Sequence, residues 1–250
     1  TIVGDYIVGR GVQDDKGPSL AALYAVKSLL DEGIQFTKRI RFIFGTDEET
    51  LWRCMNRYNQ IEEQADLGFA PDSSFPLTYA EKGLLQVKLH GPGWEDLPLQ
   101  AGQALNVVPD KATYAGHRLE ELLPVVDQSG VQYSQTDHSV TVMGVSKHSK
   151  DASEGVNAIV GLAESLSLIQ PHPALLFIAD AVGEDATGAA LFGEIKDEPS
   201  GDLSFNLATL AIDQEQSEIG IDIRIPVLAD KEALVARLQE IAASYQLEYE

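Results

Sequence analysis

The feature that most constrains the fold is an alternation of helical and strand-like segments in the first part of the chain. A helix is predicted over residues 19–30, because apolar residues recur at helical spacing between Pro18, which favours a helix start, and Gly33, which favours a helix end. The other predicted elements are an N-terminal strand at 1–8, a strand at 39–44, a helix at 50–64 and a short apolar strand at 67–70. This order of elements indicates right-handed crossovers in a mostly parallel sheet.

The pattern changes after Gly83. Leu85, Val87 and Leu89 alternate with polar residues, which is typical of an antiparallel sheet with one face open to water. Further strands are predicted at 112–114, 131–133, 139–145, 203–207, 219–225 and 245–250, and helices at 117–123, 154–169 and 231–245. Asp230 is placed to cap the last helix. We therefore predict an α/β protein, with a mostly parallel α/β domain over residues 1–84 and an α+β domain over residues 85–250.

The charge of the chain excludes several classes of function. Eighteen basic and 39 acidic side chains give a net charge of −21 at pH 7, which argues against nucleic-acid binding and against polybasic attachment to a membrane surface. No apolar run approaches the roughly 20 residues of a membrane span, and the first residues do not resemble a signal peptide. Cys54 is the single cysteine, so the fold does not depend on an internal disulfide. These features predict a cytoplasmic protein.

Acidic residues follow every predicted strand of the first domain. They are Asp14 and Asp15 after the first strand, Asp47, Glu48 and Glu49 after the second, and Asp72 after the third. Ligands of open α/β sheets bind at the carboxyl ends of the strands, and gathered carboxylates repel one another unless cations share them. The pattern therefore favours one or two divalent metal ions. The alternative is that helix dipoles favour each acid separately, which explains a single acid better than the whole set.

Three segments resemble the motifs of a known enzyme family. They are Gly9-Arg10-Gly11-Val12-Gln13-Asp14-Asp15-Lys16-Gly17-Pro18, then Gly45-Thr46-Asp47-Glu48-Glu49, then Ala70-Pro71-Asp72. Their order and intervals, 34 residues from Asp14 to Glu48 and 24 from Glu48 to Asp72, are similar to those of the dinuclear zinc metallopeptidases. That family includes dipeptidase V, carnosinases, aminoacylases, carboxypeptidase G and succinyl-diaminopimelate desuccinylase. The segment 69–76 looks most like the dipeptidase V branch, and the resemblance covers nearly the whole chain.

The resemblance implies a site with two zinc ions, for which manganese or cobalt is the alternative. Asp14 would bridge the two ions, and Glu49 and Asp72 would each complete the ligand shell of one ion. Glu48 would be the general base, because a water that attacks an amide carbonyl needs a nearby carboxylate to take its proton. Asp15 is interpreted as a helix cap or as support for a ligand, and Asp47 as structural.

The resemblance also implies that residues 85–250 form a lid, an inserted α+β domain of ferredoxin-like topology. Within it, His148 would stabilise the oxyanion of the reaction, Asn106 would approach the scissile bond, and Arg224 would bind a substrate carboxylate. From the residues alone, a structural histidine, a turn-capping asparagine and an exposed strand arginine are the alternatives. The remaining histidines, His90, His117, His138 and His172, are expected to have surface or core roles.

Two elements of the family are expected but have no counterpart in the sequence. These are a His-x-Asp motif upstream of Gly9 and a zinc-binding histidine after the lid. We therefore expect the middle portion of a longer enzyme, with weak or no zinc binding and no activity by itself. The leading functional prediction is a zinc-dependent dipeptidase that acts on small unblocked dipeptides. The alternatives are an N-acyl amino acid deacylase such as a desuccinylase and, from another class, a non-catalytic lid or dimerisation module; the oligomeric state is left open between a monomer and a lid-mediated dimer.

Overall fold

The structure is a computed structural model that describes residues 1–48, 52–73 and 75–250. The chain divides into two compact units, Thr1–Tyr79 (unit 1) and Ala80–Glu250 (unit 2). In the described ranges, no helix is both long and apolar enough to cross a membrane.

The described residues of unit 1 form two helices and one short hairpin. The hairpin pairs strands β1 (Ile2–Val3) and β2 (Tyr6–Ile7), and a turn at Val12–Lys16, in which Asp14 and Asp15 have non-helical backbone angles, leads into helix α1 (Gly17–Asp31). Helix α2 spans Arg53–Ile61. The prediction of a helix after Pro18 is confirmed, because Pro18 lies in the first turn of α1.

The predicted parallel sheet is not confirmed by unit 1. The N-terminal segment is a hairpin that turns at Gly4, where φ is +58°, rather than one strand, and residues 39–44 and 67–70 are not strands. Among the residues described in unit 1, none is buried, and Phe42 and Phe44 are exposed. Parallel strands are stable when neighbours pair with them and helices cover both faces. Strand-forming composition in the segment 39–44 does not supply those partners.

Unit 2 contains an eight-stranded sheet in the order β12-β3-β11-β10-β4-β5-β7-β6, and every pairing in it is antiparallel. Its strands are β3 (Gly83–Pro92), β4 (Leu99–Ala101), β5 (Lys111–Tyr114), β6 (Tyr133–Thr136), β7 (Ser139–Met143), β10 (Ser204–Ile212), β11 (Gln216–Ile225) and β12 (Glu248–Tyr249). A separate small hairpin pairs β8 (Lys196–Asp197) with β9 (Gly201–Asp202).

Five helices accompany this sheet. They are α3 (Leu119–Ser129), α4 (Ala158–Ser167), α5 (Pro173–Leu176), which continues as a π-helical segment at Phe177–Val182, α6 (Ala189–Phe192) and α7 (Lys231–Ser244). Helix α4 contacts β5, β7 and β10, and α5 contacts β3 and β11. A 3-10 turn at Ser149–Glu154 contacts β10 and β11.

The core of unit 2 follows from alternation along the central strands. In β11, the side chains of Ile219, Ile221, Ile223 and Ile225 join the apolar core, together with buried residues of α4 such as Leu162. The residues between them on β11 lie on the opposite face of the sheet. That opposite face holds the polar residues on which the candidate site is built.

Most predictions for the second half of the chain are confirmed. The antiparallel sheet is present, the strands predicted near 112–114, 139–145, 203–207 and 219–225 are observed, and Asp230 caps α7 by accepting a hydrogen bond from the Ala233 N–H at 3.0 Å. Strand β4 and the helical segment at 173–182 were not predicted. The interpretation of this part as an inserted, ferredoxin-like lid over 85–250 stays a prediction, as does the catalytic domain over 1–84.

Candidate functional site

Asp14 and Asp15 lie in the turn that leads into α1. Asp14 is exposed and Asp15 is half-buried, and the peptide bond between them is cis. Oδ2 of Asp15 accepts a hydrogen bond from the Ser19 hydroxyl at 2.9 Å, whereas its Oδ1 is buried and has no hydrogen-bond partner within the described residues. Asp15 is therefore tied to the first turns of α1, in agreement with a supporting role.

Asp47 holds the start of α2. Its two carboxylate oxygens accept hydrogen bonds from Nε and Nη2 of Arg53 at 2.7 and 3.0 Å, and Oδ2 also accepts the Arg53 backbone N–H at 3.0 Å. The hydrogen bond and the charge of Asp47 raise the pKa of Arg53. This bidentate arrangement supports the interpretation of Asp47 as structural.

The predicted metal site is only partly within the described residues. Glu48 and Asp72 are exposed, and Glu49 lies outside the described ranges. Over residues 1–48, 52–73 and 75–250, no three histidine, cysteine, aspartate or glutamate side chains form a group that could hold a metal ion. Carboxylate oxygens suit divalent metals chemically, but the described residues alone do not assemble a site. The assignment of Asp14, Glu49 and Asp72 as metal ligands stays a prediction.

The predicted residues of unit 2 do come together. The segments around Asn106 and His148 lie side by side in antiparallel orientation. They are joined by a β-bridge between Val107 and His148 and by a hydrogen bond of 2.8 Å from the Val108 N–H to the Lys147 carbonyl. The Ser149 N–H donates to the Asn106 carbonyl at 2.9 Å.

Arg224 reaches the same place from β11, because its Nη2 donates to the Ser149 hydroxyl oxygen at 3.1 Å. We call Asn106, His148, Ser149, Asp222 and Arg224 the Arg224 cluster.

Arg224 is held by a buried carboxylate. Its Nε donates to Oδ1 of Asp222 at 2.7 Å and its Nη2 to Oδ2 at 3.3 Å. Asp222 is fully buried, whereas the Arg224 side chain is 20% exposed. Within the described part of the chain, Nη1 of Arg224 makes no hydrogen bond. The Nε and Nη2 edge of the guanidinium is thus fixed by Asp222, and the N–H groups of Nη1 stay available as donors.

The surroundings of His148 lower its pKa, which favours the neutral ring near pH 7. Loss of water around the ring lowers its pKa most, and the positive charges of Arg224 and Lys150 lower it further, against the opposite effect of Asp222. Nδ1 of His148 accepts a hydrogen bond from the Lys150 N–H at 3.2 Å. The proton of the neutral ring therefore resides on Nε2, which makes Nε2 a hydrogen-bond donor.

A cavity of about 260 Å³ is bordered by the segments that carry Asn106 and His148, although no residue of the Arg224 cluster lines it. Its lining includes Val108, Ala152, Asn157, Phe205 and Asn206. Val108 belongs to the segment that carries Asn106, and Ala152 to the turn that follows His148. The two segments therefore also border this cavity, whose volume lies just below the roughly 300–1,000 Å³ of typical ligand pockets.

Sequence reasoning missed Asp222 and Ser149. The signal for Asp222 was present, because the alternation in Gly220-Ile221-Asp222-Ile223-Arg224 places Asp222 and Arg224 on one face of a strand. Nothing in the sequence indicated Ser149, whose role depends on contacts with residues far away along the chain. His172, for which a surface or core role was predicted, is fully buried and caps α5.

The chain matches one protein family over its whole length and is similar to proteins named as dipeptidases. Residues 1–250 match the Peptidase family M20/M25/M40. The chain is 36% identical over 251 residues to "Putative dipeptidase YtjP" of Bacillus subtilis (strain 168), covering 91% of this chain and 54% of that protein. It is 32% identical over 274 residues to "Putative dipeptidase SH1171" of Staphylococcus haemolyticus (strain JCSC1435), covering 100% of this chain and 58% of that protein. The chain therefore spans about half the length of these relatives.

Among solved structures, the chain is similar to aminoacylhistidine dipeptidase from Vibrio alginolyticus, with 9% sequence identity and a TM-score of 0.31. The similarity covers 67% of this chain and 43% of that one.

Proposed function

Because the chain belongs to the Peptidase family M20/M25/M40, we propose that the complete protein is a metal-dependent dipeptidase that hydrolyses the peptide bond of small unblocked dipeptides. The observation that carries this proposal is the Arg224 cluster, in which a fixed guanidinium and a neutral histidine lie together. The names of the relatives favour dipeptides over N-acylated amino acids as substrates.

In this proposal, Arg224 binds the C-terminal carboxylate of the dipeptide. The Nε of Arg224 donates to Asp222, and its Nη2 donates to Asp222 and to Ser149. Nη1 is therefore the donor that remains for the substrate. A charged hydrogen bond between a guanidinium and a carboxylate is among the stronger polar contacts in proteins. It also distinguishes an unblocked dipeptide from one whose C-terminus is an amide.

His148 and Asn106 act on the scissile bond. The neutral ring of His148 donates from Nε2, and a donor placed where negative charge develops stabilises the tetrahedral intermediate of amide hydrolysis. Asn106 approaches the same bond from the neighbouring segment. Because the lowered pKa keeps His148 uncharged near pH 7, the ring donates without an added positive charge beside Arg224.

Asp14, Glu49 and Asp72 are the proposed metal ligands, and Glu48 is the proposed general base. Peptidases of this family are generally metal-dependent, and a bound divalent metal supplies polarisation of the carbonyl and an acidified water. Zinc is our first choice, with manganese or cobalt as alternatives. Glu48 would accept the proton of the attacking water and deliver it to the departing nitrogen. These four assignments rest on the sequence motifs.

The experiment uses the complete gene product, dialysed and then reloaded with zinc, manganese or cobalt. Initial rates are measured on unblocked dipeptides, the same dipeptides with C-terminal amides, and N-succinyl amino acids. We expect preference for unblocked dipeptides and a rise of about 10–100-fold in KM on Arg224→Ala, from the loss of a charged hydrogen bond. Arg237→Ala is the matched control, because Arg237 forms only an exposed pair with Glu240 and its loss should leave KM unchanged.

Glu48→Gln tests the proposed base separately. It should lower kcat by about 10²–10⁴-fold while dipeptide binding persists. Preference for N-succinyl substrates would contradict the dipeptidase proposal and favour a deacylase. A metal-loaded complete protein with no hydrolysis of either class would overturn the enzymatic proposal.

A further inference from the structure

A row of polar side chains crosses the centre of the sheet in unit 2. Asp222 on β11 is directly opposite Gln86 on β3 and Asn206 on β10. In the next row on this face, Arg224 is opposite Ser204. Because side chains on directly opposite residues share a face of the sheet, these residues form a polar patch on the face away from the apolar core.

The 3-10 turn that begins at Ser149 covers this patch. The turn contacts β10 and β11, and it leaves Asp222 and Ser149 without solvent exposure. A buried carboxylate is costly unless it is paired and hydrogen-bonded. Asp222 meets both conditions, since it pairs with Arg224 and accepts a hydrogen bond from Nε2 of Gln86 at 3.0 Å.

Stability does not explain this ion pair well. Buried ion pairs add little net stability relative to apolar residues that pack equally well, because desolvation offsets the attraction between the charges. What the pair does provide is a fixed direction for the guanidinium, because Nε and Nη2 both donate to one carboxylate. The geometry of Arg224 is therefore set by a residue that no solvent or substrate reaches.

Ser149 connects this fixed guanidinium to the other residues of the cluster. Its hydroxyl oxygen accepts a hydrogen bond from Arg224, its N–H donates to the Asn106 carbonyl at 2.9 Å, and its carbonyl accepts a hydrogen bond from the Ser204 hydroxyl. Ser149 also follows His148 directly in the chain. The three polar groups of Ser149 thus contact Arg224, Asn106 and Ser204, and its backbone continues the segment that carries His148.

We propose that Asp222 and Ser149 are positioning residues of the substrate site, which hold Arg224 and the His148 segment in the geometry that binds a dipeptide carboxylate. This inference rests on the proposed function, because it takes Arg224 as the carboxylate-binding residue. Neither Asp222 nor Ser149 touches the substrate. Each acts through Arg224, so its effect depends on Arg224 being present.

The test is a double-mutant cycle in the complete, metal-loaded gene product. Asp222→Asn keeps the shape of the side chain and removes its charge, and Ser149→Ala removes only the hydroxyl group. KM and kcat are measured for unblocked dipeptides with each single variant, with Arg224→Ala, and with each pair. Ser165→Ala is the matched control, because Ser165 is an equally buried serine whose hydroxyl donates only to the Gly161 carbonyl in α4.

We expect Asp222→Asn and Ser149→Ala each to raise KM by about tenfold or more, with a smaller change in kcat, because a small misplacement of a binding group has a large effect on substrate affinity. In the Arg224→Ala background, the same substitutions should leave KM unchanged. Ser165→Ala should match the wild type in both constants. Far-UV circular dichroism checks folding, and Ser149→Ala carries the test by itself if Asp222→Asn does not fold.

The outcomes separate the two proposals. If Arg224→Ala leaves KM unchanged, the proposed carboxylate site is wrong and the positioning role with it. If Arg224→Ala raises KM but Ser149→Ala and folded Asp222→Asn do not, the proposed function stands and the positioning role is wrong. Equal effects of Ser149→Ala with and without Arg224 would also overturn the positioning role, since the serine would then act independently of the guanidinium.

Discussion

The junction between α4 and β10 allows a quantitative prediction about stability. Asn157 caps α4, because its Oδ1 accepts hydrogen bonds from the N–H groups of Ile159 and Val160 at 3.0 and 3.4 Å. Its Nδ2 donates to the Leu207 carbonyl at 2.7 Å. The register of β10 against β11 shifts between Leu207 and Thr209, so the Leu207 carbonyl lies at an irregularity of the strand. The side chain of Asn157 thus caps a helix and also donates a hydrogen bond to this carbonyl.

The substitution Asn157→Ala removes both functions. Loss of an N-cap costs about 1 kcal/mol, and a carbonyl left without its partner in a buried strand costs about 1–3 kcal/mol more. We therefore expect the free energy of unfolding of unit 2 to fall by about 3 kcal/mol. For a domain of this size, the corresponding fall in melting temperature is about 6–12 °C.

Two further variants separate the cap from the bond to Leu207. Asn157→Asp keeps an oxygen that can cap α4 and removes the donor to the Leu207 carbonyl, so it should cost about 1–3 kcal/mol. Asp230→Ala removes a simple cap, the bond to the Ala233 N–H in α7, and should cost about 1 kcal/mol. Urea unfolding followed by far-UV circular dichroism measures all three. A loss in Asn157→Ala no larger than in Asp230→Ala would refute the contribution of the Leu207 bond.

Three other predictions concern unit 2 and the proposed site. Burial lowers the pKa of His172, so the unfolded state takes up a proton at a higher pH than the folded state does. The contribution of His172 to the free energy of unfolding should therefore be fully present above the unfolded pKa of about 6.5. It should fall by about 1 kcal/mol between pH 7.5 and pH 5.5. His172→Asn keeps a capping oxygen for α5 and should lack this part of the pH dependence in urea titrations at the two pH values. Phe177→Ala should cost about 3–5 kcal/mol, because Phe177 is fully buried and packs edge-on against Tyr245; a loss below 1 kcal/mol by thermal unfolding would contradict this packing. His148→Ala should lower kcat on dipeptides by about 10²–10³-fold with little loss of stability, because residue 148 is exposed as a whole and lies outside the apolar core; unchanged kcat would rule out oxyanion stabilisation.

The sequence by itself determined the elements whose signals are local. Pro18 at the start of α1 and Asp230 before α7 act within one helical turn, and the alternation of isoleucines in β11 encodes which face is apolar. The motifs around Asp14, Glu48 and Asp72 also indicated the family, because family motifs are properties of the sequence. The roles of these three residues in metal binding and catalysis stay predictions.

Tertiary structure decided which elements become neighbours. Strand order in the sheet of unit 2 depends on backbone pairing between distant segments, such as β3 with β11. The sequence of a strand does not specify which other strand it pairs with. For the same reason, the strand predicted at 39–44 was wrong, because strand propensity is realised only where a neighbouring strand and a covering layer exist.

The same distinction applies to the candidate site. Asn106, His148 and Arg224 were each predicted from separate segments, but only the fold brought their backbones and side chains to Ser149. The burial of Asp222 and the lowered pKa of His148 likewise depend on which groups surround them. A charge interacts with whatever lies within a few ångströms, and in this sheet those neighbours come from residues far apart in the chain.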